Sequence, residues 1–196
     1  TGWVSTGGRF ITEFEEKIAK YVGVKRAVSC QSGTAGLHLA LKVLGIGHGD
    51  EVIVPTVTFI AAVNPVKYVG AEPVFMDCDD TLNMDMDKLA AYQTLYEVLV
   101  MDMDKLEEFL QNQCTFKDGK TVNKNTGRTV KAVIIVHVFG NPADMERLMN
   151  IKEKYNLKVI EDSTEALGSY YTKGKYAGKY CGTIGDIGVY SFNANK

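Results

Sequence analysis

Two clusters near the end of the sequence hold the side chains best suited to chemistry. Lys196 closes the run Val189-Tyr190-Ser191-Phe192-Asn193-Ala194-Asn195-Lys196, and the acidic cluster Glu161-Asp162-Ser163-Thr164-Glu165 lies upstream of it. A lysine at the lip of an apolar strand can condense with an aldehyde. A carboxylate from a neighbouring strand can keep a pyridine nitrogen protonated, so that the ring accepts electrons. Imine chemistry on a pyridoxal-type cofactor requires that pair. Each residue alone also has a plainer reading, Lys196 as a solvated strand end and Asp162 as a helix N-cap or half of a salt bridge. Following Val159-Ile160, Asp162 ends a buried strand, where a carboxylate is costly unless paired. Glu165, three residues on, could simply complete a capping arrangement.

A third cluster, Ser32-Gly33-Thr34-Ala35, follows one apolar segment and opens a helical one. Unpaired backbone N–H groups and the helix dipole at such a point suit a phosphate, and glycine permits close approach. A βα turn with glycine and no ligand is the plainer alternative. The sequence contains neither G-x-G-x-x-G nor G-x-x-x-x-G-K-[ST], so neither a dinucleotide fold nor a P-loop is supported. His137 ends an apolar run before Phe139-Gly140-Asn141-Pro142 and reads as a satisfied core histidine; His38 and His48 read as surface or packing residues.

Alternating helical and extended segments must position these clusters. Phe10, Ile11, Phe14, Ile18 and Tyr21 fall at helical spacing, with Gly23 placed to end the helix. Residues 26–30 read as a short strand. A helix then carries Leu37, Leu41 and Leu44 and stops at Gly45. Strands follow at 51–54 and 72–76, separated by a helix over 59–69 that Pro65 should kink unless it lies in the first turn. Residues 131–137 form a continuous apolar run, the mark of a strand covered on both faces. A helix over 144–155 and strands at 157–160 and 187–192 complete the pattern. Residues 114–129 are polar, with turn signals at Asp118-Gly119 and Asn125-Thr126-Gly127, and read as a solvent-exposed hairpin or excursion. Such alternation predicts an α/β sandwich with a mostly parallel sheet. Ligands then sit outside the carboxyl ends of the strands, where Gly33-Thr34, Thr58-Phe59, His137, Asp162 and Lys196 all fall.

Composition narrows the partners. At 196 residues, 45% hydrophobic and 23% charged, the chain can bury one good core. A formal net charge of -2 gives no reason to expect nucleic acid or an anionic membrane surface. No apolar run approaches the roughly 20 residues that span a bilayer, and no basic-then-apolar leader opens the chain. Cys30, Cys78, Cys114 and Cys181 are scattered, with no C-x-x-C, and read as free thiols of a cytoplasmic protein. One stretch is anomalous. Met84-Asp85-Met86-Asp87-Lys88-Leu89 recurs identically at residues 101–106, and removing residues 84–100 leaves a seamless reading. It reads as a local duplication or an error in the recorded sequence, without a function of its own.

Six motifs occur in order along the chain: Trp3-Val4-Ser5-Thr6-Gly7-Gly8, Ser32-Gly33-Thr34-Ala35, Val54-Pro55-Thr56-Val57-Thr58-Phe59, Val136-His137-Val138-Phe139-Gly140, Glu161-Asp162, and Ser191-Phe192 followed after three residues by Lys196. Together they resemble the DegT/DnrJ/EryC1/StrS sugar aminotransferases. Within that family the chain is most similar to nucleotide-sugar 4-aminotransferases of bacillosamine and legionaminic acid biosynthesis. The features are the Asn123-Lys124-Asn125-Thr126-Gly127-Arg128 excursion, the stretch at residues 161–171 and the run ending in Lys196.

The resemblance implies a fold type I pyridoxal 5'-phosphate (PLP) enzyme, with a seven-stranded, mostly parallel sheet in its large domain. It implies that Lys196 carries the cofactor as an imine and that Asp162 partners the pyridine nitrogen. By the same resemblance Gly33, Thr34 and Ser191 are phosphate ligands, and Phe59 is the aromatic plate on the ring. Glu165 would lie beside the phenolic side of the cofactor, and Asn193 would reach toward phosphate or substrate. The implied reaction moves an amino group, in the first instance from L-glutamate, to a nucleotide-linked 4-keto-6-deoxy sugar within a homodimer. Alternatives are a noncatalytic PLP-binding fragment and a PLP-dependent sugar dehydratase, although the family's dehydratases place histidine where Lys196 stands. Family members are about twice as long, so residues 1–196 correspond to the PLP-binding large domain, truncated at both ends and without the small C-terminal domain. Pro65 stands where the family keeps a helix former.

Overall fold

The computed structural model describes residues 8–77 and 101–193. Lys196, residues 3–7 of the Trp3 motif, Cys78 and residues 84–100 lie outside the described residues. Helix α1 spans Arg9–Val22, and Gly23 ends it in the left-handed region at φ 76°, where only glycine avoids a Cβ penalty. Helix α2, Gly33–Val43, precedes strand β1, Asp50–Pro55. Helix α3, Ile60–Tyr68, and strand β2, Glu72–Met76, follow. Helix α4 is Met103–Asn112, β3 is Cys114–Lys117 and β4 is Lys120–Asn123. Strand β5, Thr129–Val136, helix α5, Met145–Tyr155, and strands β6, Lys158–Asp162, and β7, Ile187–Val189, complete the fold.

Five strands run parallel in the order β2-β1-β5-β6-β7. The antiparallel hairpin β3-β4 joins them through Thr121 and Val122 of β4, which pair with Val130 and Thr129 at the start of β5. Among the described residues this is a seven-stranded α/β sheet, mostly parallel as the pattern predicts and with the strand number that the resemblance implies. The chain first grows outward from β1 to β2, then returns to the other side of β1 with β5. Open α/β sheets hold ligands at that kind of reversal, beyond the carboxyl ends of the strands.

Strand periodicity divides the core into two layers. Val52 and Val54 of β1, Ala132 and Ile134 of β5, and Ile160 of β6 pack with Leu37, Leu41, Ala62 and Val66 of α2 and α3. Ile53, Val133, Ile135 and Val159 face the opposite way, toward Leu106, Leu110, Leu148 and Ile151 of α4 and α5. Successive side chains of a strand point to opposite faces, so a strand covered twice must be apolar throughout, as β5 is.

Several elements depart from expectation. Residues 26–30 form no strand. Val28 is exposed, and the segment is instead held to α1 by Glu15, whose Oε1 accepts from Ser29 N–H at 2.7 Å and from its hydroxyl at 2.8 Å. Extended backbone becomes a strand only where another strand supplies partners. Strand β7 stops at Val189, before Phe192. Helix α3 is one continuous element across Pro65, which lies beyond its first turn. The hairpin is less exposed than its polarity suggests. Buried Glu51 accepts from Asn123 Nδ2 at 2.9 Å and Thr126 Oγ1 at 2.7 Å, and the buried Thr121 hydroxyl donates to the Tyr155 carbonyl at 2.6 Å.

The second copy of the repeated hexapeptide, residues 101–106, leads into α4. Asp102 caps α4 by accepting from Asp104 and Lys105 N–H, and Met101, Met103 and Leu106 are buried. The described cysteines Cys30, Cys114 and Cys181 are free. Among the described residues no helix is long and apolar enough to cross a membrane, and no cluster of His, Cys, Asp or Glu could hold a metal ion.

Candidate active site

A cleft of about 1100 Å³ opens where the first turn of α2 meets the carboxyl ends of β6 and β7. Gly33, Thr34, Phe59, Asp162, Glu165, Ser191 and Asn193 all line it. Every described residue that the sequence singles out for cofactor binding is therefore brought together; Lys196 lies outside the described residues.

The floor of the cleft begins with the cap of α2. The Ser32 hydroxyl accepts from Ala35 N–H at 3.2 Å, and the preceding first-turn amides belong to Gly33 and Thr34, which line the cleft and have no intrahelical acceptor. Gly33 is pressed against two other elements. A Cβ there would stand 3.1 Å from Thr164 Cγ2 and 3.5 Å from Ser191 Cβ. One step along the helix, a Cβ on Gly36 would meet Val189 Cγ1 at 2.8 Å. The two glycines let α2 sit against β7, and so bring the α2 amides beside the Ser191 hydroxyl, which itself accepts from Asn193 N–H at 3.5 Å.

Asp162 ends β6 on the same face as Ile160, toward α2 and the cleft, and is 5% exposed. Its Oδ1 accepts from Thr164 N–H at 3.2 Å, an Asx-turn. The N-cap reading fails, because turns and no helix follow. The capping role for Glu165 fails with it. Glu165 Oε2 instead accepts from Phe139 N–H at 3.2 Å, and Phe139 adopts the left-handed conformation at φ 52° beside Gly140 at φ 79°. That costly conformation for an aromatic residue turns the chain after β5 toward Glu165. Phe59, at the start of α3, is 73% exposed and lines the cleft.

Sequence reasoning missed the structure beneath this surface. Glu161, adjacent to Asp162, points to the other face and is wholly buried. Its Oε2 lies 2.9 Å from His137 Nε2 and accepts from Gly182 N–H at 2.8 Å; its Oε1 accepts from Ile184 N–H at 2.7 Å and from Gly185 N–H. His137 Nδ1 accepts from Ala143 N–H at 3.1 Å, so the ring proton sits on Nε2 and points at Glu161. Burial works against the ionised Glu161, but the His137 bond and the amides of Gly185 and Gly182 outweigh it and hold the carboxyl below its usual range. Burial first, and then the charge on Glu161, push the Cys181 thiol up to about 12. Cys181 is thereby inert. A signal for Glu161 existed in the sequence: two adjacent carboxylates on a doubly covered strand must face opposite layers, and the inner one needs donors.

His137 is thus a satisfied core histidine, as read from the sequence. His38 and His48 serve packing, His38 edge-on to Tyr68 at 5.8 Å between ring centroids and His48 over Gly70.

Over 197 residues the chain is 42% identical to the GDP-perosamine synthase of Caulobacter vibrioides, covering 100% of this chain and 43% of that protein. It is 37% identical over 179 residues to the UDP-4-amino-4-deoxy-L-arabinose--oxoglutarate aminotransferase of Shewanella sediminis, covering 91% and 37%. A sugar aminotransferase structure from Streptococcus pneumoniae, in its PLP form, superimposes with a TM-score of 0.73 at 29% identity, covering 100% of this chain and 44% of that one. The chain spans less than half the length of the curated relatives it matches. A family profile matches residues 1–196, and the chain belongs to the DegT/DnrJ/EryC1/StrS aminotransferase family.

Proposed function

We propose that this chain is the PLP-holding part of an aminotransferase that carries an amino group from L-glutamate to the keto carbon of a nucleotide-linked 4-keto-6-deoxy sugar. The observation that carries the reading is the meeting of three elements in one cleft. Gly33 of α2, Thr164 after β6 and Ser191 after β7 approach so closely that a single methyl group would crowd them. Glycine there preserves room at a helix N-terminus, the arrangement that receives a phosphate.

The described residues fit the cofactor. Gly33 and Thr34 would receive its phosphate through their amides, together with the Ser191 hydroxyl. Phe59 would cover the ring, and Asp162 would hold the pyridine nitrogen protonated from its buried position. Glu165 would stand near the phenolic oxygen, with Asn193 near phosphate or substrate. Bound PLP supplies a reactive aldehyde and a ring that takes up electrons from the carbon losing its proton. Lys196 is assigned the covalent attachment and, once released, the movement of that proton on its Nζ. The names of the relatives, with GDP- and UDP-linked sugars and oxoglutarate, support the substrate and donor classes. A second copy of the chain is the proposed partner, supported by the family resemblance and by exposed Val28, Leu39 and Val43 along the cleft.

Incubating the chain with PLP tests this reading. A visible absorbance band should appear, glutamate should bleach it, and Lys196→Ala should abolish the band while leaving noncovalent binding. No band with the unaltered chain would refute the cofactor assignment. A band that glutamate leaves unchanged would instead mark a noncatalytic binding module.

A further inference from the structure

We infer that Glu161 is a positioning residue of the cofactor site: its carboxylate fixes the 182–185 loop and the end of β5 to the end of β6, and so sets where Asp162 and Ser191 stand. The inference rests on the cofactor reading above.

Glu161 does not itself line the cleft, but it holds Gly182 and Gly185, which do. It sits on the α5 side of the sheet, whereas Asp162 faces α2, so the dipeptide divides its work between the two faces of one strand. Each oxygen of Glu161 takes two donors: His137 Nε2 and Gly182 N–H on Oε2, Ile184 and Gly185 N–H on Oε1. His137 N–H in turn donates to the Asp162 carbonyl at 3.0 Å, which closes the end of β5 onto the end of β6. The anchored loop runs straight into β7, where Gly188 pairs with Glu161 and Val189 with Asp162. Ser163 N–H donates to the Val189 carbonyl at 2.9 Å, and Ser191 follows two residues later. Asp186 secures the same loop at its far side, accepting from Val159 N–H at 2.7 Å.

A carboxylate is needed because all four partners donate. Glutamine has one acceptor oxygen, and its NH2 would confront two N–H groups. An apolar side chain of similar volume would leave all four donors buried without an acceptor. What the charge supplies is a single placement of a glycine-rich loop that has few side chains to hold it.

The test compares the unaltered chain with Glu161→Gln and Glu161→Asp. Amide hydrogen exchange is followed at residues 182–185 without cofactor, and PLP affinity is read by absorbance titration. Glu161→Gln should remain folded by circular dichroism, lose protection at the three amides by about tenfold or more, and bind PLP about tenfold or more weakly, the scale at which small misplacement is felt. Glu161→Asp, which keeps an acceptor-only group, should recover part of both. Unchanged affinity and protection in Glu161→Gln would overturn the inference, as would equal losses in the Gln and Asp variants. Should Glu161→Gln fail to fold, His137→Asn removes a single donor, and unchanged affinity there would overturn it equally. Failure of the unaltered chain to bind PLP would sink the cofactor reading and this inference together, whereas normal binding with an indifferent Glu161→Gln sinks this inference alone.

Discussion

Two adjacent acids, Glu161 and Asp162, show how one residue type takes different tasks from its surroundings. Asp162 accepts from Thr164 N–H and faces the cleft. Replacing it with Asn preserves shape and the Thr164 bond through the amide oxygen. Asp162→Asn in the active enzyme should therefore lower turnover by about a hundredfold or more with little change in unfolding free energy; turnover within a few-fold of normal would remove Asp162 from the chemistry. Burial resists the charge on Glu161, yet its hydrogen bonds to His137 and to the Gly185 and Gly182 amides hold the carboxyl below its usual range. With a folded pKa below the unfolded value of about 4.3, its ionisation contributes stability that is complete above that value and lost as pH falls through the lower folded one. The gap in denaturant stability between the unaltered chain and Glu161→Gln should accordingly be wide near neutrality and shrink in acid. A gap independent of pH would mean that folding leaves the carboxyl's pKa unchanged, and a gap that widens in acid would mean that the fold favours its neutral form.

At the scale of elements, glycine decides how closely the pieces meet. Strand β7 has only three residues and lies against the loop that precedes it. A Cβ on Gly188 would overlap the Gly182 carbonyl and come within 2.8 Å of its Cα. Backbone cannot swing aside as a flexible side chain can, so Gly188→Ala should cost about 1–3 kcal/mol or more, measured by thermal or denaturant unfolding. Normal stability in that variant would show that β7 can shift away from the loop. Element identity was largely legible. Helical spacing from Phe10 to Tyr21 and the uninterrupted apolar run of β5 each report a local period that burial imposes. Residues 26–30 misled for a related reason: their composition suits a strand, but pairing depends on a neighbour, and Glu15 on α1 holds them instead. The hairpin at β3-β4 also read as more exposed than it is, because Glu51, more than 70 residues upstream of Asn123, supplies its buried acceptor.

Across the whole molecule, β5 is the shared spine, pairing with β1, β6 and the first residues with β4. Ile134 lies wholly buried at its centre among α2 and α3 contacts. Ile134→Ala should cost about 2–5 kcal/mol, and the loss should appear as one cooperative transition if the two core layers unfold together; a second transition would reveal layers of independent stability.

The sequence alone determined the alternation of helix and strand, the apolar faces and the order of the site motifs, because these follow from local periodicity and from residue chemistry. Tertiary structure alone decided which residues meet. Gly33 finds Thr164 and Ser191 from more than 130 and 150 positions away, Glu161 finds the amides of Gly182, Ile184 and Gly185, and Asp162 faces the cleft while its neighbour turns inward. Those meetings depend on strand register and on the close approach that glycine allows, and neither is written in any one segment of the chain.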